Sequence, residues 1–214
     1  MGFVPDGEGS IGTIITQAPY YDSLRATFLG QAAHAGIEPE KGVNALVMAS
    51  RAITRMDLGR IDHETTANLG LITGGSARNT VPERVGVEGE ARSLDPGKLV
   101  NQVQKMQKAM EEAAQELRGR VQVEVRHEYD GFQLQGDEPV VLVALAGCRA
   151  IGLRPVITRT CGGSDGNELN ANGIPTVVLG TGGNDFHSPK ERMAVSELVK
   201  LTQLVAALIV VEKT

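Results

Sequence analysis

The sequence predicts an α/β chain built from two different parts. Between about residues 18 and 129, candidate strands and helices follow in the order β-α-β-β-α-β. This order is typical of a ferredoxin-like unit, which has two helices on one face of a four-stranded antiparallel sheet. From Asp130 onward the order becomes α-β-α-β-α, which indicates a parallel sheet layered with helices. The predicted segments are therefore 1–17, 18–129 and 130–214.

Alternating apolar residues predict the strands of the middle segment, because one face of a half-buried strand meets the core. The predicted strands are 24–29, 67–72, 85–92 and 121–125. Asn44 can cap a helix that continues to about Met56, since an asparagine side chain accepts hydrogen bonds from free backbone amides. Pro96 opens a longer amphipathic helix that ends near Leu117.

The third segment offers fewer strands than a parallel sheet needs. Helices are predicted at 140–151, just after Ser164 and at the C-terminal end, with strands near Val156 and at 176–179. Counting a strand near Ile14, about three strands are available, which is too few to cover both faces of such a layer. This part is therefore expected to be a piece of something larger, with 1–9 as a bare start and 204–211 as a buried terminal helix.

Composition excludes several classes of partner. The net charge of −5 and the absence of Trp argue against nucleic acid, which needs clustered cations and stacking platforms. The longest apolar run, Leu204 to Val211, is far shorter than the roughly 20 residues of a membrane span. Two cysteines, Cys148 and Cys161, cannot build a disulfide framework, and no leader-like segment begins the chain, so a cytoplasmic location is expected.

The stretch GQAAHAGIEPEKGVNAL, residues 30–46, places His34 among small residues on a strand-to-helix loop. The small neighbours leave the imidazole uncovered, so it can reach a ligand. Taken alone, His34 fits an ordinary loop histidine better than a functional one, because a single imidazole specifies no chemistry.

Asp6 and His187 are two further candidates whose local sequences leave the function open. Asp6 lies in VPDGEG, and by itself Asp-Gly favours a solvated turn. His187 lies in the glycine-rich loop that follows the strand ending at Leu179, where open α/β sheets bind ligands. His63 and His127 match no motif and are expected to be surface residues.

The run CGGSDGN, Cys161 to Asn167, joins a predicted strand to a helix. Its backbone amides could hold an anion, but it lacks the spacing and the lysine of a phosphate loop. A tight turn in which Ser164 or Asp165 caps the helix is the simpler interpretation.

Together these motifs resemble the dinuclear zinc exopeptidases that include tripeptide aminopeptidase (peptidase T), carboxypeptidase G, aminoacylase and succinyl-diaminopimelate desuccinylase. The resemblance runs from Asp6 to Glu197 and looks closest to the bacterial peptidase T-like branch. It implies a ferredoxin-like lid or dimerisation domain, 18–129, inserted in part of an α/β zinc-exopeptidase catalytic domain. Segments 1–17 and 130–214 would belong to that catalytic domain.

The resemblance also assigns roles to particular residues. It implies that Asp6 and His187 ligate zinc, that His34 and Asn79 polarise the scissile carbonyl as catalytic residues, and that Arg92 holds a substrate carboxylate. An imidazole and an amide are suitable donors to a developing oxyanion, and a guanidinium pairs with a carboxylate through two bonds. Gly163, Ser164 and Asp165 would contact the substrate. Peptidase T proper has an arginine where this chain has Cys161, so the substrate specificity is left open.

The chain supplies only two of the roughly five ligands that a pair of zinc ions requires. In the family, the other ligands and the general base, a glutamate, precede the Asp-Gly turn. The chain therefore resembles the C-terminal half of such an enzyme. By itself it is expected to bind zinc weakly and to be inactive. The expected function is part of a zinc-dependent exopeptidase that hydrolyses short peptides as a homodimer through the lid. The alternatives are a non-catalytic dimerisation or peptide-binding module and an N-acyl amino acid deacylase of the same family.

Overall fold

The computed structural model describes residues 1–211, which divide into two compact units. The inserted unit is Tyr20–Glu128, and the discontinuous unit combines Met1–Pro19 with the described residues from Tyr129 onward, 129–211. The strands are β1 Gly2–Gly7, β2 Thr13–Ala18, β3 Tyr20–Leu29, β4 Gly59–Arg60, β5 Thr65–Gly74, β6 Arg84–Ser93, β7 Arg120–Tyr129, β8 Phe132–Gln133, β9 Val156–Arg159 and β10 Thr176–Gly180. The helices are α1 Ala45–Ile53, α2 Pro96–Glu116, α3 Pro139–Ala150, α4 Asp165–Ala171 and α5 Val195–Val211.

The inserted unit has the predicted ferredoxin-like fold. Its sheet has the strand order β4-β5-β6-β3-β7, and β6 pairs antiparallel with both β3 and β5. Every second residue of β3 from Leu24 to Phe28 is buried, and these side chains form the core with residues of α1 and α2 such as Met48 and Met110. The two-residue strand β4 and a short 3-10 helix, Pro39–Lys41, are additions to the predicted order.

Both helices of the inserted unit start where the sequence predicts, α1 at the predicted cap Asn44 and α2 at Pro96. The Asn44 side chain accepts hydrogen bonds from the backbone amides of Leu46 and Val47, at 3.0 and 3.1 Å. The Asp95 side chain accepts from the amide of Lys98 at 2.9 Å, just before Pro96. These contacts satisfy amides that have no partner within the helix. Helix α1 ends at Ile53, three residues earlier than predicted.

The discontinuous unit has a mixed sheet, so the prediction of a parallel sheet with about three strands is wrong. Strand β10 pairs parallel with β1 and antiparallel with β2, while β2 pairs parallel with β9 and antiparallel with β8. Strand β8 has only two residues, too few for an alternating pattern. Strand β1, predicted as a bare start, contains Pro5, which an edge strand tolerates because one side of its backbone needs no donor.

Helix α5 is buried only along a narrow stripe, which corrects the prediction of a buried terminal helix. Leu204 and Leu208 are buried against α3, whereas Val205, Ile209 and Val210 remain exposed. An uninterrupted apolar run places apolar side chains on every face of a helix, so the pattern cannot tell which face is covered. Among residues 1–211, no helix combines the length and the apolar character that crossing a membrane requires.

Candidate active-site residues

The loops that carry His34 and Asn79 lie side by side in the inserted unit. The Ala35 amide donates to the Asn79 carbonyl oxygen at 2.9 Å, and His34 forms an antiparallel bridge with Thr80. Both His34 and Asn79 are exposed. The structure therefore brings these two predicted residues together through backbone contacts that continue the pairing of β3 with β6.

The His34 ring is oriented by its own loop. Its Nδ1 atom accepts a hydrogen bond from the Gly36 amide at 3.2 Å. Because an amide can only donate, Nδ1 carries no proton in this arrangement, and the proton of the neutral ring lies on Nε2. The exposed edge of His34 is thus a hydrogen-bond donor, which suits a contact with a carbonyl oxygen.

Arg92, near the end of β6, is held by two side chains that the sequence analysis did not identify. Its Nε and Nη2 atoms donate to the Glu90 carboxylate at 3.2 and 2.9 Å, and its guanidinium lies 4.5 Å from the centroid of the Tyr21 ring. Burial, followed by the nearby charge of Glu90, raises the pKa of Tyr21. The guanidinium is therefore fixed by an ion pair and a stacking contact.

His34 and Arg92 lie at opposite ends of the same sheet. Arg92 pairs with Tyr21 near the start of β3, whereas Arg84, at the other end of β6, pairs with Leu29. Eight residue steps along a strand span about 26 Å. The His34 and Asn79 loops lie beyond Arg84, so His34 is at least about that far from Arg92 within one copy of the unit.

In the discontinuous unit, Asp6 lies at the end of the sheet from which the loop that carries His187 begins. Strands β1 and β10 are parallel, with Gly7 opposite Gly180, and the Thr181 amide donates to the Gly7 carbonyl oxygen at 3.0 Å. Asp6 is exposed near the carboxyl end of β1. The carboxyl ends of parallel strands are where such sheets bind ligands.

His187 is an exposed residue with a left-handed backbone, φ 59°. Its amide donates to the Glu191 carboxylate at 3.0 Å, and a bridge between Asn184 and Arg192 closes the loop. A carboxylate and an imidazole are donors that zinc accepts, so Asp6 and His187 fit a metal in kind. In number they fall short of the three protein ligands of a catalytic zinc.

One group of three possible metal ligands is found among residues 1–211, and it contains neither Asp6 nor His187. It consists of Asp62, His63 and Glu64, and Lys98 Nζ lies 3.0 and 2.6 Å from the two carboxylates. The Glu64 amide and then Lys98 lower the pKa of Asp62, and hydrogen bonds to the carboxylates of Glu64 and then Asp62 raise the pKa of Lys98. The positive charge of Lys98 already pairs with both carboxylates, so this cluster supports no metal site.

The loop 161–167 is shaped by a helix cap and by a close contact. Ser164 caps α4, since its hydroxyl accepts from the Gly166 amide at 3.2 Å, and the Asn167 side chain accepts from the Ser164 amide at 3.2 Å. Asp165 is the exposed first residue of the helix. A side chain at Gly163 would place its Cβ 1.9 Å from the Tyr129 hydroxyl, so the Tyr129 ring would have to move to admit one.

Comparison with known proteins agrees with this architecture. Residues 21–118 match the family of M20 peptidase dimerisation domains. The whole chain superposes on a tripeptidase of Staphylococcus aureus with a TM-score of 0.93 and 39% identity, covering 57% of that structure. The inserted unit therefore contains an M20 dimerisation domain, and the chain as a whole is similar to M20 peptidases.

Among individual proteins, the chain is similar to peptidase T and related proteins. It is 42% identical to aminopeptidase PepT of Bacillus cereus, with a TM-score of 0.87 and 57% of that structure covered. It is 45% identical over 208 residues to the uncharacterised protein YqjE of Bacillus subtilis, covering 97% of this chain and 56% of YqjE. Peptidase T of Listeria monocytogenes is 26% identical over 208 residues, with half of its length covered. The chain thus spans about half the length of the curated relatives.

Proposed function

We propose that the chain is the lid and part of the catalytic domain of a zinc-dependent, cytoplasmic exopeptidase that hydrolyses short peptides in the manner of a tripeptide aminopeptidase. The observation that carries this proposal is the guanidinium of Arg92, held in place by Glu90 and Tyr21. An oriented guanidinium recognises a carboxylate through two parallel bonds. A free peptide carboxylate is a feature that distinguishes a short peptide from an internal protein segment.

The remaining residues receive complementary roles in this proposal. His34, through its Nε2 proton, and the Asn79 amide donate hydrogen bonds to the oxygen of the scissile carbonyl, where negative charge develops. Gly163, Ser164 and Asp165 contact the substrate. Asp6 and His187 are two of the ligands of a dinuclear zinc site, and zinc, when bound, would supply an activated water.

The distance between His34 and Arg92 supports a homodimer. Three extended residues span about 10 Å, far less than the separation of at least about 26 Å within one copy. His34 and Arg92 of the same copy therefore cannot contact one tripeptide. We propose that Arg92 acts with His34 and Asn79 of a second subunit, so that each active site contains residues from both.

The proposed dimer contact is the outer edge of β5. Its partner β4 covers only Thr66 and Ala67, and no other described strand borders the rest of that edge. Leu71 and Ile72 are 60% and 49% exposed there, within a run that carries no charge. The opposite edge, β7, alternates exposed charged residues, which discourage pairing. Two β5 edges can pair across a two-fold axis.

Replacing Leu71 with lysine is expected to convert the dimer to a monomer, because a charge on an edge strand opposes pairing with a second copy. Sedimentation velocity at tens of micromolar measures this change, a concentration at which a standard-size interface is occupied. Gln122→Lys, on the exposed face of β7, is the matched control and leaves the dimer intact. A monomeric unsubstituted chain at the same concentration would contradict the proposed dimer.

The 214-residue chain by itself is expected to bind zinc weakly and to leave peptides uncleaved, because Asp6 and His187 provide too few ligands. Metal content after dialysis, read together with tripeptide hydrolysis, tests this. Stoichiometric zinc that survives dialysis, or turnover above the background rate, would show that the ligand assignment is wrong. In a polypeptide of the relatives' length, His187→Ala should abolish both metal retention and turnover.

The same measurements can distinguish this function from two others. The dimerisation domain, residues 21–118, would by itself suffice for a non-catalytic dimerisation or peptide-binding module. Such a module would bind peptides without hydrolysing them, whatever the length of the polypeptide tested. An N-acyl amino acid also presents a carboxylate to Arg92, so a deacylase would cleave acetylated amino acids in preference to tripeptides. A panel of both substrate types separates the three functions.

A further inference from the structure

Asn167 joins three segments of the discontinuous unit that are far apart in sequence. It is 1% exposed, and its side-chain nitrogen donates to the carbonyl oxygens of Pro19 and Asp130, at 3.1 and 2.8 Å. Its side-chain oxygen accepts from the Ser164 amide at 3.2 Å. Pro19 ends the segment that leads into the inserted unit, and Asp130 lies in the segment that leads out of it.

The position of Asn167 follows from where the β2–β8 ladder stops. The ladder's last pair is Ala18 with Phe132, and the next residue of β2's segment is Pro19. Proline has no amide hydrogen, so it cannot donate to a further pair. Asn167 supplies side-chain donors to both segments just beyond the last pair, and therefore continues their connection by other means.

A second, independent contact links the same segments to the loop 161–167. Tyr129 immediately precedes Asp130, and its ring lies against Gly163 so closely that a Cβ there would be 1.9 Å from the hydroxyl oxygen. The first link is a set of hydrogen bonds and the second is close packing. The exit segment is therefore attached to the loop at both ends of 163–167.

We propose that Asn167 is a positioning residue that makes the loop 161–167 and the segments 18–20 and 129–131 one cooperative unit. Because a buried amide that loses its partners costs more than an exposed one, the three segments open together rather than singly. If Gly163, Ser164 and Asp165 contact the substrate, those contacts depend on Asn167, and this consequence rests on the proposed function. The coupling itself does not.

Hydrogen exchange of the 214-residue chain tests the coupling, with Asn167→Ala compared against Asn170→Ala. Asn170 is the matched control because it lies in the same helix and its side chain also bonds backbone, donating to the carbonyl oxygens of Gly166 and Thr176 at 2.7 and 2.8 Å and accepting from the Thr176 amide at 3.0 Å. Asn167→Ala should raise exchange about tenfold or more at 162–166, at the amides of Ala18 and Tyr20, and at 129–131 together. Asn170→Ala should raise it near Thr176 only.

Exchange that rises in the loop but not in both segments, or the same pattern from Asn170→Ala, would overturn the proposal. If Asn167→Ala does not fold, the unsubstituted chain gives the answer in low denaturant. The amide of Ser164, which donates to Asn167 Oδ1, and the amides of 129–131 should then show the same opening free energy and the same denaturant dependence. Two separate opening reactions would contradict the coupling. Neither measurement involves substrate, so failure of the proposed function would not change the result.

Discussion

Replacing His34 with alanine is expected to lower kcat about 100- to 1,000-fold in an exopeptidase that contains these residues, because one donor to the developing oxyanion is lost. The fold and the metal should be unaffected, since His34 is exposed and its loop is held by backbone hydrogen bonds. His63→Ala is the matched control, because His63 is an exposed histidine of the same unit, and it should keep full turnover.

Mixing two inactive variants tests whether His34 acts across the dimer. One subunit carries His34→Ala and the other carries His187→Ala, which removes a proposed metal ligand. If His34 acts in trans, a mixed dimer contains one site with both groups intact. An equal mixture should therefore recover about one quarter of the unsubstituted turnover, since half of the dimers are mixed and each has one working site. Mixed dimers as inactive as both parents would show that His34 serves its own subunit or none.

Replacing Arg92 with alanine is expected to lower kcat/KM for a tripeptide on the order of 100-fold, because the substrate carboxylate loses a bidentate ionic partner. Arg92→Lys should recover only part of this loss, since an ammonium group cannot form the paired bonds of a guanidinium. Steady-state kinetics on one tripeptide with a free carboxylate provides the measurement.

The same tripeptide with an amidated C-terminus isolates the carboxylate contact. The unsubstituted enzyme should prefer the free acid strongly, whereas Arg92→Ala should cleave acid and amide with similar kcat/KM. Because Glu90 loses its partner in this variant, a melting curve must show that the inserted unit remains folded. Arg92→Ala that keeps the preference for the free acid would place the carboxylate elsewhere.

The inserted unit could be predicted because its local signals agree with one another. Alternation from Leu24 to Phe28, the cap at Asn44 and the apolar stripe of α2 each describe one element and its covered face. The discontinuous unit was harder, because β1 and β8 carry weak local signals and are held in place by strands far along the chain. Pro5 and the two-residue length of β8 conceal strands that the sheet nevertheless accommodates.

The sequence could indicate which residues to place in the candidate site, but not which side chains and backbone groups they contact. His34, Asn79 and Arg92 come from motifs, and their roles stay predictions. The support for Arg92 could have been found partly, since Glu90 is two residues away and side chains two apart share a strand face. Nothing local signals the partners of Asn167, because one of them is 148 residues distant in the sequence.

The ends of the inserted unit lie close together, and this bears on how such a chain could arise. Strands β3 and β7, which begin and end the unit, are neighbours in its sheet, and Asp22 and His127 near those ends are joined at 2.8 Å. The host segments on either side pair directly through Ala18 and Phe132. A domain whose two ends are adjacent can be inserted into a surface turn of another domain without separating the strands on either side of that turn. A short glycine-rich turn from Pro19 to Tyr129, which keeps the carbonyl oxygens that accept from Asn167, should therefore replace the inserted unit and leave the other sheet paired.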